Sequence, residues 1–112
     1  MLEKVSFLGA GNIAKAIMGG MLKQGISAEN LFAADPSPDQ LAKLAPGITG
    51  FADNLAAIEL ADVVVIAVKP NTVAQLCTAL APNIGNRLVI SVAAGIQSET
   101  LQSGLGEGVP II

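Results

Sequence analysis

The sequence predicts an α/β fold, a doubly wound parallel sheet of six strands forming one domain over residues 1–112. Three observations carry that expectation. Short apolar runs alternate with amphipathic stretches along the chain, the pattern left by strands alternating with helices. One run, Val63-Val64-Val65-Ile66-Ala67-Val68, is apolar at every position, as a strand covered on both faces must be. A Gly-rich stretch follows the first apolar run directly, marking a tight change from strand to helix.

Taken in order, Val5 to Leu8 reads as the first strand, ending at Gly9. From Asn12 to Gln24 the residues Ile13, Ala16, Ile17, Met21 and Leu22 recur at helical spacing, and Gly25 stops that helix. Leu31 to Ala34 is the second strand. Ser37 before Pro38 sets a cap residue ahead of a helix-starting proline, opening a helix through Leu44. Ile48 to Phe51 is a short third strand and Leu55 to Leu60 a short helix. The central run from Val63 to Val68 is the fourth strand. A helix from Asn71 to Leu80, ended by Pro82, leads to a fifth strand at Leu88 to Val92. Ser98 to Leu101 begins another helix, and Val109 to Ile112 reads as a sixth strand. The order is two βαβαβ halves, with no fixed-period repeat, low-complexity segment or linker. A chain that stops inside an apolar strand points to a further domain beyond it.

Composition narrows the chemistry. Of 112 residues, 52% are hydrophobic and 13% charged, at a mean hydropathy of +0.62. A chain this apolar has enough surface to bury as a core, which argues against general disorder. Asn71, Gln75, Pro82 and Gly85 interrupt the longest uncharged interval, so no run reaches the ~18 apolar residues of a membrane span. Glu3 precedes any apolar stretch, unlike a secretory signal. A net charge of −3 without a basic cluster argues against nucleic acid. Cys77 has no second cysteine to pair with and there is no histidine, which leaves a metal site remote and removes His-dependent nucleophiles. The expectation is a cytoplasmic domain whose chemistry comes from backbone, carboxylates, amides, hydroxyls and a bound cofactor.

The first strand runs into Gly9-Ala10-Gly11-Asn12-Ile13-Ala14, a G-x-G-x-x-A turn that opens a helix. Gly9 permits the tight turn, Gly11 lets the backbone approach a pyrophosphate, and Ala14 lets the helix sit close to its strand. The free amides and positive end of the helix then face phosphates. The motif's place between a strand and a helix is the context that gives it meaning.

Asp35 ends the second strand, where a carboxylate that binds ribose is expected; this favours NAD(H), because a carboxylate repels a 2′-phosphate. Ser37, with a hydroxyl and free amides at a helix start, is instead a phosphate cradle that suits NADP(H). Both readings stand at this point. Lys69 and Asn71 follow the central strand at the crevice where ligands bind in such sheets; Pro70 and Asn71 equally well just start the next helix. Ala93, Ala94 and Gly95 suit close approach of a flat nicotinamide ring, and packing alone explains them as well. Asp53 reads as a helix cap beside Asn54, and Cys77 as core among Val73, Leu76 and Leu80.

These blocks together resemble the N-terminal half of the pyrroline-5-carboxylate reductase family. The resemblance rests on Phe7 to Ala14, Ala16-Ile17, Gly19-Gly20, Ser37-Pro38-Asp39, Ala67-Val68-Lys69-Pro70 and Ser91 to Gly95, in the family's order across nearly the whole chain. It implies reduction of the ring imine of 1-pyrroline-5-carboxylate to L-proline, usually with NADPH. It implies Ser37 at the 2′-phosphate, Asn54 at the adenosine ribose, and Lys69, Pro70 and Asn71 on the nicotinamide side. Asp35 departs from the family's pattern. The resemblance also implies that a C-terminal helical domain, which would hold most of the imine pocket and the homo-oligomer contacts, lies beyond this chain. An iminium is already electrophilic, so orientation and desolvation suffice and no residue here is expected to act as acid or base. Two other readings remain: the cofactor domain of a prephenate- or hydroxyacid-type dehydrogenase, and a nucleotide-binding module without catalysis.

Overall fold

The computed structural model describes residues 3–92. Five strands form one parallel sheet: β1 (Val5–Leu8), β2 (Leu31–Ala34), β3 (Thr49–Phe51), β4 (Val63–Ile66) and β5 (Leu88–Ser91), in the order β3-β2-β1-β4-β5. Pairing is in step across the centre, with Val5 opposite both Leu31 and Val63, and Leu8 opposite Ala34 and Ile66. The α-helices among the described residues are α1 (Asn12–Lys23), α2 (Pro38–Ala42), α3 (Asn54–Glu59) and α4 (Pro70–Ile84).

Alternate residues of the buried strands feed two separate cores, which is why helices cover both faces. Val5, Phe7, Ala33, Val63 and Val65 pack with Ala14 and Met18 of α1, and Leu41 of α2 joins them. Leu8, Ala34, Val64, Ile66 and Val89 pack with Ala57 and Ile58 of α3 and with Val73, Leu76, Cys77, Leu80 and Ile84 of α4. The buried Ser6 hydroxyl donates to the carbonyl of Ala57 at 2.6 Å, which satisfies it and pins α3 to β1.

The expected doubly wound class holds, with differences in detail. The expected sixth strand at Val109 to Ile112 and the helix from Ser98 lie outside the described residues. β4 stops at Ile66 rather than Val68. Ala67 N–H still donates to Leu8 O at 2.8 Å, after which the chain turns away into α4. The α2 helix ends at Ala42 rather than Leu44, because Lys43 and Leu44 N–H groups bond three residues back to Gln40 and Leu41 in a tightened turn. A 3₁₀ turn at Ala28–Asn30, unexpected from the pattern, precedes β2.

Pro82 does not end α4. The apolar stripe of Val73, Leu76, Cys77 and Leu80 continues past it to Ile84, which is 1% exposed. Burying an isoleucine is worth about 1.5–3 kcal/mol, comparable to the ~3 kcal/mol that proline costs inside a helix. Gly85, at φ +56°, ends the helix instead. Gly25, at φ +96° just past α1, stops that helix as expected.

Candidate cofactor site

The strand order reverses between β1 and β4, so the β1–α1 and β4–α4 turns diverge at the carboxyl edge and leave a crevice. A cleft of ≈ 420 Å³ lies there, lined by Gly9, Gly11, Asp35, Pro36, Ser37, Gln40, Ala67, Val68, Lys69 and Thr72. Seven of these are residues singled out from the sequence: Gly9, Gly11, Asp35, Ser37, Ala67, Val68 and Lys69. The turns that follow β1, β2 and β4 bring them together.

The two glycines of the turn have different physical tasks. Gly9 sits at φ +101°, and a Cβ built there would meet Ala67 O at 2.6 Å. Its missing side chain lets β1 and the end of β4 approach. Gly11 is the N-cap of α1 at φ −79°, and a Cβ there would meet nothing within 4 Å. Open space faces its backbone. No side chain caps α1 and no acid occupies its first turn. Lys15 N–H is the first to bond back, to Gly11 O at 3.0 Å. The N–H groups of Asn12, Ile13 and Ala14 therefore have no partner among the described residues, and the positive end of a twelve-residue helix points at the cleft.

Asp35 is part of the scaffold. Its Oδ2 accepts the N–H of Ala10, and its Oδ1 the N–H of Ser37, each at 2.9 Å. One of the amides expected to be free at this helix start is thus taken, because the short β2–α2 turn folds the Ser37 N–H onto Asp35. Leu41 N–H is the first to bond back, to Ser37 O, so the Asp39 and Gln40 N–H groups have no partner among the described residues. The Ser37 hydroxyl makes no capping bond. Across the cleft, Thr72 bonds the Lys69 carbonyl through both its N–H and its hydroxyl, at 2.9 and 2.8 Å, closing the first turn of α4.

The other singled-out residues stand elsewhere. Ala10 and Ala14 are buried, Ala14 against Phe7 and Met18. Asn12, Ile13 and Asn71 are exposed, and Asn54 is half-buried at the start of α3. Asp53 caps α3 by accepting Leu55 N–H at 3.1 Å, as expected. Pro70 is the first residue of α4. Ala93, Ala94 and Gly95 lie outside the described residues. Pro36, Gln40 and Thr72 line the cleft and were missed. The signal for two of them was helical periodicity, since Gln40 and Thr72 each fall one turn beyond a singled-out residue, Ser37 and Lys69.

The parallel sheet, the reversal of strand order and the glycine turn together define a Rossmann-type domain of the dinucleotide-binding class. Residues 4–95 match the family described as NADP oxidoreductase, coenzyme F420-dependent, and the chain belongs to that family. It is 39% identical over 112 residues to the pyrroline-5-carboxylate reductase of Pseudomonas aeruginosa, covering 97% of this chain and 41% of that one. Among solved structures, a pyrroline-5-carboxylate reductase from Coxiella burnetii superposes with a TM-score of 0.95 at 30% identity, covering 99% of this chain and 43% of that one. A pyrroline carboxylate reductase from Plasmodium falciparum, solved with NADP bound, gives 0.85 at 26% identity over 97% of this chain and 40% of its own. The chain thus spans about two fifths of the length of the curated relatives it matches.

Proposed function

We propose that this chain is the NADP(H)-binding part of a cytoplasmic pyrroline-5-carboxylate reductase, which reduces 1-pyrroline-5-carboxylate to L-proline. The observation that carries the reading is the 39% identity to a reductase of that name across 97% of the chain. The cleft supports it, because the residues present fit a dinucleotide. The open space in front of Gly11 admits a pyrophosphate against bare backbone. The unpaired amides of Asn12, Ile13 and Ala14 supply donors for it.

In this reading the Ser37 hydroxyl takes a 2′-phosphate and Asn54 the adenosine ribose. Lys69, Pro70 and Asn71, with Ala67 and Val68, form the nicotinamide side, to which Ala93, Ala94 and Gly95 also belong. When bound, a reduced nicotinamide supplies a hydride. The work of this chain is to hold and orient, and none of its side chains is assigned a proton transfer. An iminium carbon is already electrophilic, so position and exclusion of water account for most of the acceleration. We assign the imine pocket and the homo-oligomer contacts to a C-terminal helical domain of the full-length protein.

The test is turnover by the full-length protein. Loss of reduced-nicotinamide absorbance is expected with NADPH only when the cyclic imine is supplied. Reduction of NADP+ driven by prephenate or a hydroxyacid instead would overturn the substrate assignment. Tight nucleotide binding without turnover of any of these substrates would leave a non-catalytic module.

A further inference from the structure

Asp35 lines the cleft and the Lys15 ammonium meets it through Gln40, and the surroundings of these two charges differ. Asp35 stands where a carboxylate that reads ribose hydroxyls belongs. Yet each of its oxygens accepts a backbone N–H, from Ala10 and from Ser37, at 2.9 Å. These bonds tie the glycine turn to the β2–α2 turn. Two peptide dipoles offset the carboxylate's charge.

Lys15 is the opposite case. It lies one helical turn beyond Gly11, and Cα–Cβ bonds in a helix tilt toward its N-terminus. Its side chain lines a neighbouring pocket with Met18, Lys43 and Leu44, and there Nζ donates to Gln40 Oε1. Gln40 lines the cleft together with Ser37. The amide holds the ammonium in place without neutralising it. An ammonium has three donors, so two remain for an anion.

From this geometry, and resting on the nucleotide reading above, we propose that Lys15, held by Gln40, is the residue that selects a 2′-phosphate on bound adenosine. Asp35 is then a positioning residue that does not set the choice. A phosphomonoester carries close to two negative charges at neutral pH, and a ribose hydroxyl carries none. A half-buried ammonium one hydrogen bond behind a cleft-lining amide favours the first over the second.

Adenosine 2′,5′-bisphosphate and 5′-AMP are the probes, titrated calorimetrically at low ionic strength. The proteins are the unaltered chain, Lys15→Met, Lys15→Arg and Asp35→Asn, each checked by thermal melting. The unaltered chain is expected to prefer the bisphosphate. Lys15→Met should lose about tenfold for the bisphosphate, or about 1.4 kcal/mol, and stay within about twofold for AMP. Lys15→Arg should retain the preference. Asp35→Asn should weaken both nucleotides by one common factor, because an amide nitrogen then faces one of the two backbone N–H groups. Equal losses for both probes in Lys15→Met overturn the role given to Lys15. A gain confined to the bisphosphate in Asp35→Asn overturns the role given to Asp35. If the unaltered chain binds neither probe, the nucleotide reading itself falls, an outcome distinct from both.

Discussion

The same methyl group, added at two positions of one turn, should give opposite results. In Gly9→Ala the new Cβ lies 2.6 Å from Ala67 O and 2.8 Å from Ala67 C, both backbone atoms. The residue also keeps φ near +101°, which costs an L-residue about 1–2 kcal/mol. Relieving the overlap parts the ends of β1 and β4 and weakens the 2.8 Å bond from Ala67 N–H to Leu8 O, for about 1 kcal/mol more. The sum is about 2–3 kcal/mol, a fall in Tm of about 10–20 °C for a domain of this size. In Gly11→Ala the added atom meets nothing within 4 Å and φ is −79°. Stability should then stay within about 0.5 kcal/mol. The methyl instead fills the space that faces the cleft, and NADPH affinity should fall by at least about tenfold, or about 1.4 kcal/mol. Far-UV circular dichroism follows the melts, since the chain has no Trp or Tyr, and calorimetry follows the binding. If Gly11→Ala melts as early as Gly9→Ala, or binds NADPH undiminished, the division of labour between the two glycines is wrong.

Two further outcomes concern the scaffold. Arg87 gathers the ends of α3 and α4: Nε donates to Ala61 O at 2.9 Å, Nη1 to Asn83 O and Ile84 O at 2.8 and 3.2 Å, and Nη2 to Glu59 O at 3.1 Å. Arg87→Met should cost about 2–3 kcal/mol in urea unfolding with an unchanged slope, and Lys should recover less than half, lacking the planar fork. Burial pushes the Cys77 thiol above its ordinary range by disfavouring the thiolate. The folded pKa lies above the unfolded one, so this contribution is complete below the unfolded pKa and is lost as pH rises through the folded one. Cys77→Ala should therefore flatten the alkaline limb of the stability profile above about pH 8.5, and native Cys77 should react with thiol reagents only as fast as the protein opens.

Where one signal sets an element, the sequence reading and the structure agree. Of the strand expected over Val63 to Val68, Val63 to Ile66 is apolar on both faces and pairs on both sides, with β1 and β5. Gly25 ends α1 where a residue at positive φ is required. Where two signals compete, the local rule fails. Pro82 reads as a stop by its missing N–H, yet Ile84 two residues on is needed to complete the core beneath α4. Tertiary burial and the proline penalty are of similar size, and periodicity beyond the proline was the clue that burial prevails.

The site shows the same limit in another form. Spacing placed Asp35 at the end of β2, and the structure keeps it there, but spacing says nothing about which donors reach a carboxylate. Ala10 and Asp35 are 25 positions apart, and only the parallel pairing of Leu8 with Ala34 carries the glycine turn to the Asp35 oxygens. Lys15 and Gln40 meet for the same reason, through α1 and α2 packed on one face of the sheet. The residues that a linear motif names are those that must be small or must begin a helix. The residues that set charge at the rim come from different turns and meet only when the sheet closes. In the reading proposed above, cofactor choice is a property of the Lys15–Gln40 pair that the β1–β2 register brings together, and a sequence with the same glycine turn but a different residue at 15 or 40 should hold the pyrophosphate equally well and select differently at the ribose.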